Sequence, residues 1–418
     1  MRKVQCVIIG GGSAGLAAAV ELKKNGIDDI LILEKGPEAG GILNQCIHNG
    51  FGLHEFKEEL SGPNYAERFI NQVNELNIPI ECSTTVTAFY PDKTIEVSNK
   101  DGYEIIQADA VILAMGCQER TAGQIQIPGF RPQGVYTAGT AQRYVNLDGY
   151  SIGKKVFILG SGDIGLIMAR RMTLEGAKVL GVAELMPYSN GLQRNIVQCL
   201  KDYDIPLYLS HTVTNIEGYP RLEKVTISEV DENRNPIPGT EKVFEVDTLL
   251  LSVGLVPDNT LTVEAGIPLD LRTRGIEVNE HCESEMPGVF AAGNVLHVHD
   301  LVDYVTAEGR KAGLGAAKYL KGELKPSDTS FKTVAGNGVG YVLPQRVDYP
   351  QDDDTVEFSF RVRTPYKNAS VVVKSDGNEI KRIKKPALLP AEMEKVILAN
   401  DVLKDIKEEL TIEVEEDA

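Results

Sequence analysis

Short apolar runs alternate with longer amphipathic stretches through the first three quarters of the chain. Residues 7–9, 110–115 and 248–253 are rich in Val, Ile and Leu and have strand length, and patterns with helical spacing separate such runs. Parallel strands that helices bury on both faces have continuous apolar runs of this kind. This part of the chain is therefore predicted to be α/β, with parallel sheets covered by helices.

The pattern changes near residue 330. Apolar and polar residues alternate through residues 356–362 and again through 410–414, which is typical of half-buried strands. Asp376-Gly377 separates two further strand-like segments, as in a hairpin. We predict a small all-β, sandwich-like domain over residues 331–418. The polar segment 321–330, which contains Pro326, is predicted to be a linker.

The α/β part contains two copies of one sequence unit, residues 7–26 and 157–176. Each copy carries the pattern G-x-G-x-x-G between a predicted strand and a predicted helix. The glycines are Gly10, Gly12 and Gly15 in the first copy and Gly160, Gly162 and Gly165 in the second. Such a loop permits a tight turn and lets a pyrophosphate approach the backbone at a helix N-terminus. The chain is thus predicted to bind two dinucleotides.

A carboxylate ends the second strand of each copy, Glu34 in the first and Glu184 in the second. A carboxylate at this distance from the glycines is placed to accept a hydrogen bond from a ribose 2′-hydroxyl. Glu184 would repel the 2′-phosphate of NADP, and residues 185–189 contain no Arg to bind it, so we predict a preference for NADH. In the alternative interpretation, Glu184 is an ordinary solvent-facing charge.

Composition limits the partners and the compartment. The 418 residues are 42% hydrophobic, enough for two or three domains, and the formal net charge of −17 disfavours nucleic acid and anionic membranes. No apolar run is long enough to span a membrane or to act as a secretory signal. The six cysteines have no CxxC spacing. We therefore expect a cytoplasmic protein without a disulfide framework or a zinc site.

These features resemble the flavoproteins with two dinucleotide-binding domains, the superfamily of glutathione reductase and thioredoxin reductase. The resemblance includes the strand-plus-glycine segments 108–116 and 246–254 and a late flavin motif at 288–294. It implies an FAD-binding domain formed by residues 1–120 and 263–328. It also implies an NAD-binding domain, residues 121–262, inserted into the first.

The resemblance also implies which residues bind the two cofactors. For FAD they are Gly10, Gly12, Ser13, Ala14, Gly15, Glu34, Lys35, Gly41, Asn44, Val86, Ala114, Gly116, Gly293, Asn294 and Val302. For NAD they are Gly160, Gly162, Asp163, Ile164, Glu184 and Gly254. Val302 would begin a helix, residues 302–320, whose N-terminus points at the flavin pyrimidine ring.

A narrower resemblance concerns residues 116–142 and 160–185. They are similar to the flavin subunits of opine, proline and cyanide-forming glycine dehydrogenases. They are most similar to the oxidoreductase associated with anaerobic-type glycerol-3-phosphate dehydrogenase. This implies an electron-transfer partner, either a second flavoprotein subunit or another acceptor, and leaves open whether the oligomer is homomeric or heteromeric.

The sequence departs from the superfamily at its redox centre. The short segment that follows the glycine pair 40–41 contains one cysteine, Cys46, and no second cysteine beside it. All six histidines lie before residue 300. Neither a redox disulfide nor the catalytic His-Glu pair of a C-terminal interface domain is therefore expected. In the late flavin motif, Asn294 occupies the usual position of an Asp. Asn retains hydrogen bonding but brings no charge.

The candidates for catalysis are Cys46, His48 and His299. Cys46 is either a reactive thiol or, the interpretation we favour, an inert packed residue. His48 and His54 lie in a loop that the resemblance places along the isoalloxazine. Cys46 and these two histidines lack the close ligand spacing of a metal site. His297 and His299 would share one face of a strand, where flavin hydrogen bonding or proton supply is favoured over metal binding; no metal site is predicted.

The main hypothesis is an FAD-dependent NADH oxidoreductase that passes a hydride between nicotinamide and flavin N5. Electrons then pass to or from a partner dehydrogenase or acceptor, with glycerol-3-phosphate metabolism as the implied context. One alternative is an electron-relay or structural subunit with a vestigial NAD site. Another is a single-cysteine peroxide or disulfide reductase that uses Cys46.

Overall fold

The computed structural model describes residues 1–324, 330–348 and 355–416, and the chain divides into two compact units. The first unit comprises Met1–Cys117 and Pro257–Ala418, and the second, Gln118–Val256, is inserted between them. The β-rich C-terminal residues group with the first unit in this division. The domain boundaries drawn from the sequence remain a prediction. Most of the predicted linker, including Pro326, lies outside the described residues.

The N-terminal part of the first unit contains a mixed sheet. Its elements are β1 (Arg2–Ile9), α1 (Ser13–Lys24), β2 (Ile30–Leu33), β3 (Asn49–Phe51), β4 (Leu60–Ser61), α2 (Gly62–Glu75), β5 (Ile80–Glu81), β6 (Thr85–Phe89), β7 (Thr94–Asn99) and β8 (Gly102–Leu113). The strand order is β5-β2-β1-β8-β7-β6, parallel from β5 to β8 and antiparallel beyond it. At its centre, Ile8 of β1 lies between Ile32 and Ile112.

The inserted unit repeats the parallel arrangement. Its elements, with the two strands at its borders, are β9 (Cys117–Glu119), β10 (Val135–Thr137), α3 (Ala138–Asn146), β11 (Lys155–Leu159), α4 (Asp163–Leu174), β12 (Lys178–Glu184), α5 (Gln193–Cys199), β13 (Leu207–Leu209), β14 (His211–Glu217), β15 (Lys224–Glu229), β16 (Lys242–Glu245), β17 (Thr248–Leu251) and β18 (Leu255–Pro257). A parallel sheet has the order β10-β17-β11-β12-β13, and β14-β15-β16 form a separate antiparallel sheet. Both parallel sheets agree with the predicted α/β class.

The chain then returns to the first unit through α6 (Thr260–Glu264), β19 (Val289–Ala291) and α7 (Val302–Leu320). Strand β19 pairs in parallel with β8, and α7 has the bounds that the sequence predicts. Helix α7 packs closely on α1, because a Cβ on Gly309 would lie 2.3 Å from the carbonyl oxygen of Ala14. A Cβ on Gly313 would lie 2.5 Å from that of Ala18. No helix in the described residues is long and apolar enough to cross a bilayer.

The C-terminal residues form two β-sheets around one apolar core. Their elements are β20 (Phe331–Ala335), β21 (Val339–Leu343), β22 (Arg346–Val347), β23 (Thr355–Val362), β24 (Tyr366–Ser375), β25 (Asn378–Leu388), β26 (Glu394–Ala399), α8 (Asn400–Leu403) and β27 (Glu409–Glu416). The sheets have the orders β22-β20-β27-β24-β25 and β21-β23-β26. Phe358 and Phe360 of one sheet and Val371 and Ile412 of the other are fully buried in the shared core. The predicted strands, hairpin and sandwich-like arrangement are all present.

Candidate functional site

The first glycine loop joins β1 to α1, and its three glycines differ in what surrounds them. A Cβ on Gly10 would lie 2.3 Å from the carbonyl oxygen of Ala114, and one on Gly15 would lie 1.9 Å from that of Gly10. These two positions therefore require glycine for packing. A Cβ on Gly12 would meet no atom within 4 Å, and Gly12 caps α1 without a side-chain hydrogen bond. The free N–H groups in the first turn of α1 are thus accessible to a ligand.

The Glu34 carboxylate joins the glycine loop to the segment that follows β2. Its two oxygens accept hydrogen bonds from the backbone amides of Gly11 (2.8 Å) and Gly36 (2.6 Å), and the residue is buried. Each oxygen keeps further acceptor capacity. Gly41 also approaches this loop, since its Cβ would lie 3.2 Å from the Cα of Gly12.

Other predicted flavin residues are distributed around the same loop. Asn44 donates to the carbonyl oxygen of Ala39 (3.0 Å), and a Cβ on Gly293 would lie 3.0 Å from the Cβ of Ala14. Ser13 is the first residue of α1, and Gly116 has a positive φ of 75° directly after the β8 crossover. Lys35 is exposed and Val86 is half-buried on β6. The contacts of Gly41 and Gly293 bring these two residues close to Ser13 and Ala14 at the N-terminus of α1.

The second glycine loop, between β11 and α4, repeats this geometry. A Cβ on Gly160 would lie 2.0 Å from the carbonyl oxygen of Ser252, and one on Gly165 would lie 2.5 Å from that of Gly160. The nearest atom to a Cβ on Gly162 is the hydroxyl of Ser252, at 3.4 Å. The middle glycine is again the least crowded of the three. Gly254 follows β17 with a positive φ of 97°.

Glu184 is only 4% exposed and is fully engaged in hydrogen bonding. It accepts from the backbone amide (2.9 Å) and hydroxyl (2.6 Å) of Ser161, from the amide of Met186 (2.9 Å) and from the side chain of Asn190 (3.2 Å). The alternative of a solvent-facing charge is therefore wrong. Glu34 and Glu184 contact equivalent backbone amides in the two copies.

Asp163 and Ile164 begin helix α4. The Asp163 carboxylate accepts from the amide of Leu192 (2.8 Å) and the side chain of Asn195 (2.7 Å), while Ile164 is half-buried. Asp163 thus fixes the chain before α5 against the first turn of α4. The sequence offered no signal for this contact.

Comparison with known protein families decides the class of protein. Residues 4–310 match the family described as pyridine nucleotide-disulphide oxidoreductase. The chain belongs to this family. It is therefore an oxidoreductase, and members of the family bind FAD and use NAD(P)H.

Pyridine nucleotide-disulphide oxidoreductases similar to this chain include the small chain of glutamate synthase [NADPH] from Halomonas elongata. The alignment with that protein spans 341 positions at 26% identity and covers 75% of this chain and 67% of the relative. The alignment with the NADH oxidase of Methanocaldococcus jannaschii spans 353 positions at 26% identity and covers 80% of this chain and 70% of the relative. Among solved structures, thioredoxin reductase of T. acidophilum superposes with a TM-score of 0.63 at 26% identity, covering 76% of this chain and 99% of that one. The two-domain dinucleotide-binding fold is thus confirmed.

The residues of the first unit fit the FAD of this family. The side of Gly12 that a Cβ would fill is open, and the first-turn amides of α1 offer donors to phosphate. Glu34 directly follows β2, at the position where dinucleotide-binding folds carry a carboxylate for the ribose, and it retains acceptor capacity. Both features are those that a dinucleotide requires.

Four polar side chains lie together at the end of the late flavin motif and beyond it. Asn294 Oδ1 accepts from the backbone amide of His299 (3.0 Å) and lies 3.2 Å from His299 Nδ1. Glu308, on α7, lies 3.1 Å from His297 Nε2 and 3.5 Å from His299 Nε2. The two imidazole rings are 4.0 Å apart. His297 and His299 do not lie on a strand, so this part of the prediction is wrong, although their rings do lie side by side.

Burial and charge shift the protonation of this cluster. Burial, followed by the charge of His299, lowers the pKa of His297 to about 4. Burial alone would raise the pKa of Glu308, but the charges and hydrogen bonds of His299 and His297 together lower it well below its usual range. Glu308 is therefore ionised, and it also accepts from the backbone amide of Gly293 (2.6 Å). Sequence analysis missed Glu308, because only the packing of α7 brings it to the histidines.

The other candidates, Cys46, His48 and His54, each contact a different neighbour. The Cys46 thiol donates to the carbonyl oxygen of Ile42 (3.3 Å), and burial raises its pKa to about 12. None of the six cysteines, which all belong to the described residues, forms a disulfide. His48 packs against Phe51 at 5.0 Å between ring centres. His54 stacks on Tyr304 at 5.7 Å. The contacts thus support an unreactive thiol.

The C-terminal sheets contact the segment that follows the late flavin motif. Arg361 of β23 forms an ion pair with Asp300 and donates to the carbonyl oxygen of Val298 (3.0 Å) and to the hydroxyl of Tyr341 (3.0 Å). Asp300 also accepts from the backbone amide of Met393 (2.7 Å). These contacts give the C-terminal residues a structural role beside the candidate flavin site.

Proposed function

We propose that this protein is an FAD-dependent oxidoreductase that uses NADH in preference to NADPH. The observation that carries the proposal is the duplicated carboxylate: Glu184 accepts from the Ser161 amide just as Glu34 accepts from the Gly11 amide. The same buried carboxylate arrangement is therefore present in both glycine loops. A carboxylate at that position favours a ribose hydroxyl over a 2′-phosphate.

The chain's own residues would hold and orient the two nucleotides. The first-turn amides of α1 and the Glu34 carboxylate would bind FAD, and those of α4 and Glu184 would bind NADH. When bound, the flavin accepts a hydride from the nicotinamide at N5. Placement and electrostatics are the protein's contribution.

The N-terminus of α7 supplies part of that electrostatic contribution. Its capping residue, Leu301, has no side chain that could accept from the first-turn amides. The acidic residue of this turn, Asp303, is directed at the backbone amides of His54 (3.1 Å) and Glu55 (2.7 Å). The positive end of the helix dipole is therefore free to stabilise negative charge nearby.

A partner that exchanges electrons with this chain is a further part of the proposal. The similar glutamate synthase protein is a small chain, which implies assembly with a larger one. The sequence resemblance narrows the partner to a second flavoprotein dehydrogenase subunit, with glycerol-3-phosphate as the substrate in question. Purification of the complex from its native host tests this idea. Recovery of the chain without any dehydrogenase subunit would contradict it.

The nucleotide sites can be tested with a matched pair of variants and NADH added in the absence of oxygen. We expect wild-type protein to contain FAD and NADH to bleach its absorption. Gly12→Val should lose FAD, because the side chain would occupy the open side of the first loop. Gly162→Val should retain FAD that dithionite bleaches and NADH does not. A wild-type flavin that NADH fails to bleach would instead support the relay subunit with a vestigial NAD site.

A further inference from the structure

We propose that His297, His299 and Glu308 form a binding site for a divalent transition-metal cation of the Zn²⁺ class. One ligand atom from each of the three side chains lies within 4.8 Å of the others. His297 Nε2 and His299 Nε2 face different oxygens of the Glu308 carboxylate, at 3.1 and 3.5 Å. Ligands at about 2.0–2.2 Å from a tetrahedral Zn²⁺ are separated by similar distances.

The hydrogen bonds of His299 determine which of its ring nitrogens carries a proton. Asn294 Oδ1 accepts from the His299 backbone amide, so this atom is the side-chain oxygen and not the nitrogen. His299 Nδ1, 3.2 Å from the same oxygen, must therefore donate to it. When no second proton is bound, the ring presents the lone pair of Nε2 to a carboxylate oxygen of Glu308. Two acceptors that face each other need a positive species between them.

His297 has a similar outer partner. Its Nδ1 lies 3.5 Å from the hydroxyl of Tyr341, which in turn accepts from Nε of Arg361 at 3.0 Å. Imidazoles that bind metals almost always have the second nitrogen hydrogen-bonded in this way, which fixes the ring and its tautomer. Both histidines therefore present Nε2 towards Glu308.

A small cavity adjoins the three side chains. Its volume is about 90 Å³, and its lining also includes Asn279 and Ser359. This is room for the water that completes the coordination of a cation with three protein ligands. Lys311 and Lys395 line the same cavity, and the Lys395 ammonium is paired with Glu357 at 2.7 Å.

The ligand types select the class of cation. Two imidazole nitrogens and one carboxylate suit Zn²⁺, Fe²⁺ or Co²⁺. Mg²⁺ and Ca²⁺ prefer sites made only of oxygen ligands. The competing occupant is a proton on His299, which would make a buried ion pair with Glu308. Metal content distinguishes the two.

The first experiment uses the full-length, tag-free protein, stripped with a chelator and then incubated with Zn²⁺, Co²⁺ or Mg²⁺. We expect one Zn²⁺ or Co²⁺ per chain after desalting, ligand-field absorption from Co²⁺ at wavelengths beyond the oxidised flavin, and no retention of Mg²⁺. No retained Zn²⁺ or Co²⁺ would overturn the proposal in favour of the proton. This measurement needs no variant and so does not depend on the folding of one.

The second experiment locates the cation. His299→Gln and Glu308→Gln should each bind Zn²⁺ at least about tenfold more weakly. His211→Gln, a change at a buried histidine of the inserted unit, should bind it as wild type does. Unchanged Zn²⁺ affinity in folded His299→Gln or Glu308→Gln protein would overturn the assignment. Circular dichroism checks the fold of each variant.

Discussion

Each of the two glycine loops is held in place by one carboxylate. Glu184 accepts from the backbone amides of Ser161 and Met186, and Glu34 accepts from those of Gly11 and Gly36. Each carboxylate thus fixes its loop, and its negative charge would oppose a phosphate at the same position. A substitution at either position changes loop geometry and recognition together. Ratios between two coenzymes are therefore more informative than absolute rates.

Replacing Glu184 with Arg should reverse the charge that opposes NADPH. We expect the ratio of kcat/KM for NADH to that for NADPH to fall at least about tenfold, a change of about 1.4 kcal/mol in relative transition-state binding. Glu245→Arg, which makes the same charge change at an exposed position of β16, serves as the control. An equal ratio in both variants would show that Glu184 does not contact the ribose.

The pKa of about 12 for Cys46 predicts a slow thiol. At pH 8 its thiolate population, and with it the rate of alkylation by iodoacetamide, should be about a thousandfold below that of a free cysteine. The rate should rise tenfold per pH unit up to the limit of stability. Mass-spectrometric mapping of the alkylated site gives the rate, and protein unfolded in urea gives the reference. Rapid alkylation of the folded protein at pH 8 would support the single-cysteine reductase.

Helices α1 and α7 pack against each other at very short distance. Gly309 and Gly313 of α7 let the two helices approach until these glycines contact the backbone of α1. Because α1 begins at the first glycine loop and α7 follows the late flavin motif, this contact fixes both parts of the candidate flavin site relative to each other.

Gly309→Ala tests this contact, because two effects of the substitution have opposite signs. Helix propensity alone would stabilise the protein by about 1 kcal/mol. The new Cβ, however, would lie 2.3 Å from the carbonyl oxygen of Ala14, and backbone cannot move away easily. Overpacking of this kind costs about 1–3 kcal/mol, so we expect net destabilisation and weaker retention of FAD.

Urea denaturation measures the effect of Gly309→Ala. The control is Gly123→Ala, where the new Cβ would have no neighbour closer than 3.8 Å. A Gly309→Ala protein as stable as wild type would show that the helices can separate without cost.

Elements with strong local patterns could be predicted from the sequence, and those that depend on distant packing could not. Strands β2 and β23 follow their apolar patterns closely, and α7 has the bounds that the family resemblance implies. The antiparallel strands β6 and β7 are not predicted, because they are short and only partly buried. The glycine loops and Glu184 have a sequence signature. Glu308 has none, since its relation to His297 exists only after α7 has packed.

In the whole molecule, the two C-terminal sheets belong to the first unit and contact its other residues. Arg361 is one of the residues that make this contact; its side chain is only 16% exposed and hydrogen-bonds to four different residues. Its ion pair with Asp300 is shielded from water. The sequence pattern predicted the sheets but could not predict this contact, because the two residues are 61 positions apart.

Arg361→Leu should destabilise the first unit by about 3–5 kcal/mol, because it leaves the Asp300 carboxylate buried without its cation. Arg382→Leu is the matched control, since Arg382 pairs with Glu379 on the exposed strand β25 and its loss should leave stability nearly unchanged. The free energy of unfolding in urea measures both. Equal effects of the two substitutions would show that the Arg361–Asp300 pair does not hold the sheets in place.

The division of the first unit into two separated segments also determines when the protein can fold during synthesis. The inserted unit is continuous in sequence and can fold as soon as it leaves the ribosome. In contrast, β8 must wait for β19, and α1 must wait for α7. At about 5–20 residues per second, the roughly 200 residues between β8 and the end of α7 take about 10–40 s to synthesise. During that interval the part of α1 that α7 covers has no partner, so we expect this nascent chain to need protection by a chaperone.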